Sequence, residues 1–282
     1  MIDPAPPRAP LPPLQPLLLP LEAGEPPLTE PAGVRPKRTA AKQAAKHPRN
    51  TLNELSGEEW GFFTKSVITT AFPSDYGHQL RKAHGANKPP QLMKWLIEFF
   101  TPAGGRVLDP FAGVGGTLIG AAIAQPRREC VGIEISLRWV EIYRRVVAES
   151  SGALVEYPLY QGDSLILLAD CERFPDESFD FVCADPPYNV HLEQTMANDP
   201  RYVAGHANRR SEYNMRSDDA SDLANLPSYE AYLEAMLDVL RQCYRVLKPD
   251  KYLAIILRDA TSAAATSSRT STSRGGPRRK GS

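Results

Sequence analysis

The chain has 282 residues, with 33 Lys and Arg balanced by 33 Asp and Glu. That length allows one or two domains, and zero net charge removes any bulk argument for a nucleic-acid or membrane partner. No run is apolar for long enough to span a membrane, and Leu17-Leu18-Leu19, broken by Pro16 and Pro20, is too short for a secretory core.

Residues 1–50 are rich in Pro and Leu and then turn basic from Arg35 to Arg49, which reads as a disordered leader. A weak helical pattern runs from Leu52 to Phe63. Thr64–Thr70 is β-branched and reads as a short strand. Residues 71–90 look like a loop, with Pro73, Gly77, Gly85 and Pro89-Pro90. Gln91–Phe100 has apolar residues on nearly every side and reads as a buried helix, ended by Thr101-Pro102 and Gly104-Gly105.

Arg106–Asp109 is a short strand. It runs into Pro110-Phe111-Ala112-Gly113-Val114-Gly115-Gly116-Thr117, and a helix follows over Leu118–Gln125. Strand, glycine turn and helix make a nucleotide-type site, because glycine lets the backbone approach a ligand and the helix start offers free N–H groups. The turn is neither a P-loop nor GxGxxG, so by itself it is a weak signal. The next strand, Glu129–Glu134, ends in an acid at the distance where a carboxylate can accept from ribose hydroxyls; a helix N-terminal acid ahead of a helix over residues 136–148 is the other reading of Glu134. A third strand near Glu156–Tyr160 leads to Asp163, which suits either an adenine amine or a turn cap.

The fourth strand, Phe179–Ala184, is an unbroken apolar run that stops at Asp185-Pro186-Pro187-Tyr188. Neither proline has an N–H for a ladder, so the chain leaves the sheet at its carboxyl end, where α/β sheets bind ligands. An ordinary strand stop has the same residues. Successive strand–helix units imply an α/β fold with a doubly wound, mostly parallel sheet. The four cysteines, Cys130, Cys171, Cys183 and Cys243, form no CxxC pair; this suits a reducing, cytoplasmic setting with no zinc site and no disulfide framework.

Asp109-Pro110-Phe111-Ala112-Gly113-x-Gly115-x-Thr117, Glu134, Asp163 and Asp185-Pro186-Pro187-Tyr188, in that order, resemble the S-adenosylmethionine-dependent amino-methyltransferases that make N6-methyladenine or N4-methylcytosine in DNA. His84–Pro90 resembles that family's segment for the methionine carboxylate, and the likeness covers roughly residues 80–258. Gly116 departs from the small residue many members carry there. The resemblance implies a Rossmann-like class I methyltransferase fold and S-adenosylmethionine as cofactor, with no metal. It implies cofactor contacts from Lys88, Pro89, Asp109, Pro110, Phe111, Ala112, Gly113, Gly115, Thr117, Glu134 and Asp163. Asp185, Pro186, Pro187 and Tyr188 become the catalytic tetrapeptide. Its carboxylate and the first proline carbonyl would orient the amine of a base flipped out of duplex DNA, with Tyr188 stacked on it. The Asp form favours adenine. A cognate restriction enzyme or another genomic protein is a partner the resemblance allows.

Residues 189–226 have no apolar period and carry Arg201, Arg209, Arg210 and Arg216; they suit a basic loop on phosphates or a plain surface insertion. Ser228 is an N-cap for an amphipathic helix to Leu247, with Leu233, Met236, Leu237, Leu240, Tyr244 and Leu247 expected on the buried face. A fifth strand, Lys251–Leu257, closes the methyltransferase domain, set at residues 51–259. Residues 260–282 are low-complexity and read as a disordered tail. The family's usual C-terminal strand hairpin is missing from the pattern, and Thr64–Thr70 is a candidate to replace part of it. RNA guanine N2 and an inactive cofactor-binding remnant are the alternative readings.

Overall fold

The computed structural model describes residues 46–64, 67–68, 71–73, 75–188 and 219–257. The basic cluster at 201–216, the low-complexity tail and nearly all of the leader lie outside them. Strands β1 (Arg106–Asp109), β2 (Glu129–Glu134), β3 (Leu159–Gln161), β4 (Phe179–Ala184) and β5 (Leu247–Ile255) form one parallel sheet in the order β3-β2-β1-β4-β5. The order reverses between β1 and β4, so the crevice of this doubly wound sheet opens above their carboxyl ends.

Two apolar layers explain the sequence pattern. On one face, Val107, Cys130, Phe181 and Cys183 pack beneath α3 (Pro90–Phe100), α4 (Gly116–Ile123) and α5 (Leu137–Glu149). On the other, Leu108, Ile133, Phe179 and Val182 pack beneath α6 (Ser164–Leu168) and α7 (Tyr229–Val246). All six β4 residues are buried, as expected for a central parallel strand covered on both faces. Phe179 and Phe181 nevertheless face opposite layers, because the β4–β5 register shifts between them. The irregularity leaves Asp180 only 5% exposed, where it accepts from the Arg106 N–H at 3.0 Å and the Lys248 ammonium at 2.8 Å. Helix α4 is buried from Gly116 to Ala122 between the sheet and α3. A Cβ on Gly120 would stand 2.7 Å from Met93 Cβ and 2.8 Å from Lys94 N, so glycine sets that helix–helix spacing.

Several elements differ from the sequence expectation. Helix α1 is confined to Gly57–Phe63, because Ser56 and Glu59 cap each other's backbone N–H at its start. The loop expected at 71–90 contains α2 (His78–Arg81) and a 3-10 turn at Lys82–His84, and α6 was not expected; each is too short for an apolar period to mark it. Strand β3 starts at Leu159, later than expected, and β5 starts at Leu247, directly after α7. Of the expected strand Thr64–Thr70, Thr64, Val67 and Ile68 are described and none is in a strand; the rest lies outside the described residues.

Helix α7 presents a different face from the one expected. Ser228 does cap it, accepting from Ala231 N at 3.1 Å. The buried residues are Tyr232, Met236, Val239, Cys243 and Val246, while Leu233 and Leu237 are exposed and Tyr244 is 82% exposed. The helix carries two apolar stripes side by side, and only packing on the sheet selects between them. No helix among the described residues is long and apolar enough to cross a membrane.

Candidate cofactor and acceptor site

Asp109, at the end of β1, is 4% exposed and braces the turn that follows. One carboxylate oxygen accepts from Phe111 N at 2.9 Å and the other from the Thr117 hydroxyl at 2.5 Å. Burial pushes its carboxyl up to about 7. Asp109 and Thr117 therefore brace the turn from β1 and from the start of α4. Pro110 also works through its backbone, its carbonyl accepting from the Ser164 hydroxyl at 2.5 Å.

The turn itself depends on glycine twice. Gly113 has φ +52° and Gly115 φ +76°, both in the left-handed region. A Cβ on Gly115 would stand 2.2 Å from Cδ2 of the Tyr143 ring. Ala112 N donates to Ile133 O at 2.9 Å, which ties the turn to β2. Phe111 is half-buried above it.

Glu134 joins the turn to the next helix. One carboxylate oxygen accepts from Gly113 N and the other from Ser136 N, each at 2.8 Å. Ser136 is the residue before α5, so the helix-start reading of Glu134 holds in this structure. Each carboxylate oxygen retains a further acceptor direction for a ribose hydroxyl. Burial is the largest influence on Glu134 and raises it to about 7. Asp163 caps α6, one oxygen accepting from Leu165 N at 2.8 Å; its other oxygen lies outside that bond.

The tetrapeptide leaves β4 beside this turn. Asp185 pairs with the Lys88 ammonium at 2.5 Å, and its other oxygen accepts from the Tyr188 hydroxyl at 3.3 Å. The Tyr188 hydroxyl also lies 3.4 Å from Ile256 O, just past β5. Burial raises the Asp185 carboxyl and the Lys88 charge opposes that rise. Pro186 is buried, while Pro187 and Tyr188 are half-buried. The ammonium of Lys88 thus lies on Asp185, while its carbonyl and Cβ stand against Gly116 of the glycine turn. Pro89 is the residue before α3, its carbonyl accepting from Leu92 N and Met93 N at 3.0 and 3.2 Å.

Two residues beneath the crevice escaped the sequence reading. Arg81, 1% exposed, reaches Val114 O at 3.4 Å and Lys88 O at 2.5 Å, tying the glycine turn to the segment before α3. Burial lowers it to about 10. An arginine in a segment that looks like loop gives no sequence signal. His84 stands in the quoted His84–Pro90 segment, but its place was invisible. Its Nε2 lies 3.3 Å from where a Gly113 Cβ would be, and its ring meets Trp139 edge-on at 4.8 Å. His84 Nδ1 is buried without a hydrogen-bond partner, and burial lowers the imidazole to about 4.

A profile described as DNA methylase, of the N6/N4 methyltransferases, matches residues 32–145 and 179–270, well over half of the chain. The chain belongs to the DNA methylase family. With the family comes its cofactor, S-adenosylmethionine. The residues present fit that cofactor: a glycine turn whose residues carry no side chains of their own at Gly113, Gly115 and Gly116, acids at or just after the ends of two successive strands, and an orphaned polar atom on His84 beside the turn. Among curated relatives, a tRNA (guanine(10)-N2)-dimethyltransferase of Pyrococcus abyssi is 31% identical over 114 residues, 40% of this chain and 32% of its own length. The Methanothermobacter thermautotrophicus enzyme of that name is 31% identical over 102 residues, 36% of this chain and 27% of its own. The chain thus spans about a third or less of the curated relatives it matches. A solved SAM-dependent methyltransferase from Aquifex aeolicus superposes with a TM-score of 0.34 at 18% identity, over 65% of this chain and 77% of its own, too distant to carry an argument.

Proposed function

We propose that this chain methylates the exocyclic amine of a nucleobase, with N6 of an adenine flipped out of duplex DNA as the first substrate. The observation that carries this reading is the Asp185 carboxylate, held by Lys88 and Tyr188 at the end of β4 beside the glycine turn after β1. When bound, S-adenosylmethionine supplies an electrophilic methyl group. Phe111, Ala112 and Gly113 would line its methionine end, Glu134 would take the ribose hydroxyls, and Asp163 the adenine amine.

The chain's remaining work concerns the acceptor nitrogen. Its lone pair is delocalised into the base, so the amine is a poor nucleophile. Asp185 and the Pro186 carbonyl accept its two N–H bonds and turn the lone pair out of the ring plane. Burial keeps Asp185 more basic than an exposed carboxylate, which suits it to receive the proton the nitrogen must shed. Tyr188 stacks on the flipped base, and its hydroxyl fixes the carboxylate. Lys88 holds Asp185 ionised until the amine arrives and then shares it. Residues 51–259 form the catalytic unit in this reading, and the basic residues Arg201, Arg209, Arg210 and Arg216 would hold phosphates.

The tRNA relatives favour a second reading, guanine N2 in RNA; cytosine N4 in DNA is the nearest alternative on the DNA side. One assay separates them. Purified chain is incubated with tritiated cofactor and unmethylated duplex DNA, tRNA or no acceptor, and the labelled base is identified after digestion. Label in N6-methyladenine of DNA is the expected result. Label in N2-methylguanine of tRNA moves the substrate to RNA and leaves the amine chemistry standing. Asp185→Ala should abolish transfer and keep the thermal shift on adding cofactor; transfer that persists removes Asp185 from the mechanism. Cofactor binding with no transfer to any acceptor would mark an inactive remnant.

A further inference from the structure

Among the described residues, nothing covers a second apolar stripe on helix α7. Tyr229, Leu233, Leu237 and Tyr244 are 59%, 48%, 48% and 82% exposed, and Leu240 is half-buried between them. They recur every three or four residues over an 18-residue helix, a face about 27 Å long. Monomeric proteins seldom leave so long an apolar face bare.

The stripe lies on the side of the helix away from α6. Arg245, one third of a turn around, reaches back to the Leu168 and Phe174 carbonyls on the α6 side, and the buried stripe lies between the sheet and the helix. The uncovered stripe therefore flanks β5, which pairs only with β4 among the described strands. On that edge Ile255, 38% exposed, falls on the same side of the sheet as Leu253 and α7, and Leu257 just beyond it is 71% exposed, whereas Tyr252 meets Phe100 on the opposite face. An unpaired edge strand beside an unpaired apolar helix face is a ready template for association.

The charges beside the stripe indicate which partner fits. Glu230, Glu234 and Asp238 occupy the first part of the helix and Arg241 and Arg245 the last. A second copy of α7, turned antiparallel about a two-fold axis at Leu237, sets Leu237 against Leu237 and brings Leu233 and Tyr229 to within one residue's rise, about 1.5 Å, of Leu240 and Tyr244 of the other copy. The same operation brings Glu234 to within one residue's rise of Arg241 of the other copy, inside the reach of the two side chains. Arg241 spans to Asp238 of its own helix at 2.7 Å, so it is already at the surface where the partner's carboxylate would arrive. Arg245 is committed to Asp176 and contributes less. The two-fold axis also brings the β5 edges together antiparallel, the orientation in which two strands pair across an isologous contact.

We propose that this face joins two copies of the chain, through the Tyr229–Tyr244 stripe of α7 and the open edge of β5. The inference does not rest on the catalytic reading. The full chain is examined by sedimentation equilibrium up to about 100 μM, with circular dichroism to confirm folding of each variant. A dimer is expected, weakened about tenfold or more by Leu237→Glu. Glu234→Arg and Arg241→Glu should each weaken it, and the double reversal should restore it, since the pair meets across the axis. All three charge variants lie on an exposed surface, so they decide the matter even if Leu237→Glu fails to fold. A monomer at every concentration overturns the proposal; the chain beyond residue 257 would then be the candidate cover. A dimer indifferent to the charge reversals overturns it too, because another surface must hold it.

Discussion

In the proposed mechanism the chemistry converges on Asp185, and the neighbouring Lys88 ammonium is the charge that acts on its carboxyl. Burial raises the Asp185 carboxyl and the ammonium 2.5 Å away opposes that rise. Replacing Lys88 by Met removes only the opposing effect, so the carboxyl should titrate at higher pH. The acidic limb of the kcat/KM profile should move to higher pH. An unmoved limb would show that the ion pair does not tune the carboxylate. Asp109 makes a separate prediction. Its folded value of about 7 lies above the ordinary 3.8, so the folded state binds more protons than the unfolded one over that interval. Stability owed to this group is therefore present below about pH 4 and is lost as pH rises towards 7. Asp109→Asn keeps an acceptor for Phe111 N and a donor for Thr117, and no longer titrates. The melting temperature of the variant should vary less between pH 5 and 8 than that of the parent, a comparison made by calorimetry in matched buffers.

At the scale of elements, the glycine turn is fixed from three sides. Asp109 and Thr117 brace it from β1 and α4, Glu134 holds Gly113 N from β2, and Arg81 holds Val114 O from α2. Gly115→Ala should be costly, because the residue needs φ +76° and the new methyl would meet the Tyr143 ring. We expect a loss of about 2–4 kcal/mol in urea unfolding together with weaker cofactor binding. Gly120→Ala tests a different contact. It should press α3 off α4 at Met93 and Lys94 and destabilise by about 1–3 kcal/mol, with cofactor affinity little changed. Equal effects on affinity from both variants would contradict this division between site and scaffold.

Over the whole molecule, burial falls from the middle of the sheet to its edge. All of β4 is buried, while β5 alternates between half-buried and exposed positions. Hydrogen exchange should therefore be slowest at β4 and β1. The outward amides of β5 should exchange faster than those bonded to β4, and should slow as protein concentration rises if two copies meet there. The crevice shares this asymmetry: the glycine turn and Glu134 rest on central strands, whereas the Tyr188 hydroxyl leans on Ile256 beyond the edge strand.

The sequence by itself determined what depends on neighbours in the chain. Strand β4 is an unbroken apolar run, two prolines end it, and the glycines after Asp109 force a turn, so the alternation of strands and helices and the order of site residues were legible. Family resemblance supplied the rest of the reading, and it too rests on short local motifs. Tertiary structure decided what depends on residues far apart. It chose between the two apolar stripes of α7, because both satisfy a helical period and only the shape of the sheet distinguishes them. It put the Lys88 ammonium on Asp185, although the two are separated by four strands and four helices in the chain. It buried Arg81 among carbonyls that the fold alone assembles, and displaced the alternation of β4 around Asp180. Periodicity records which side of an element is apolar; which neighbour that side meets is set by the packing of all the elements together.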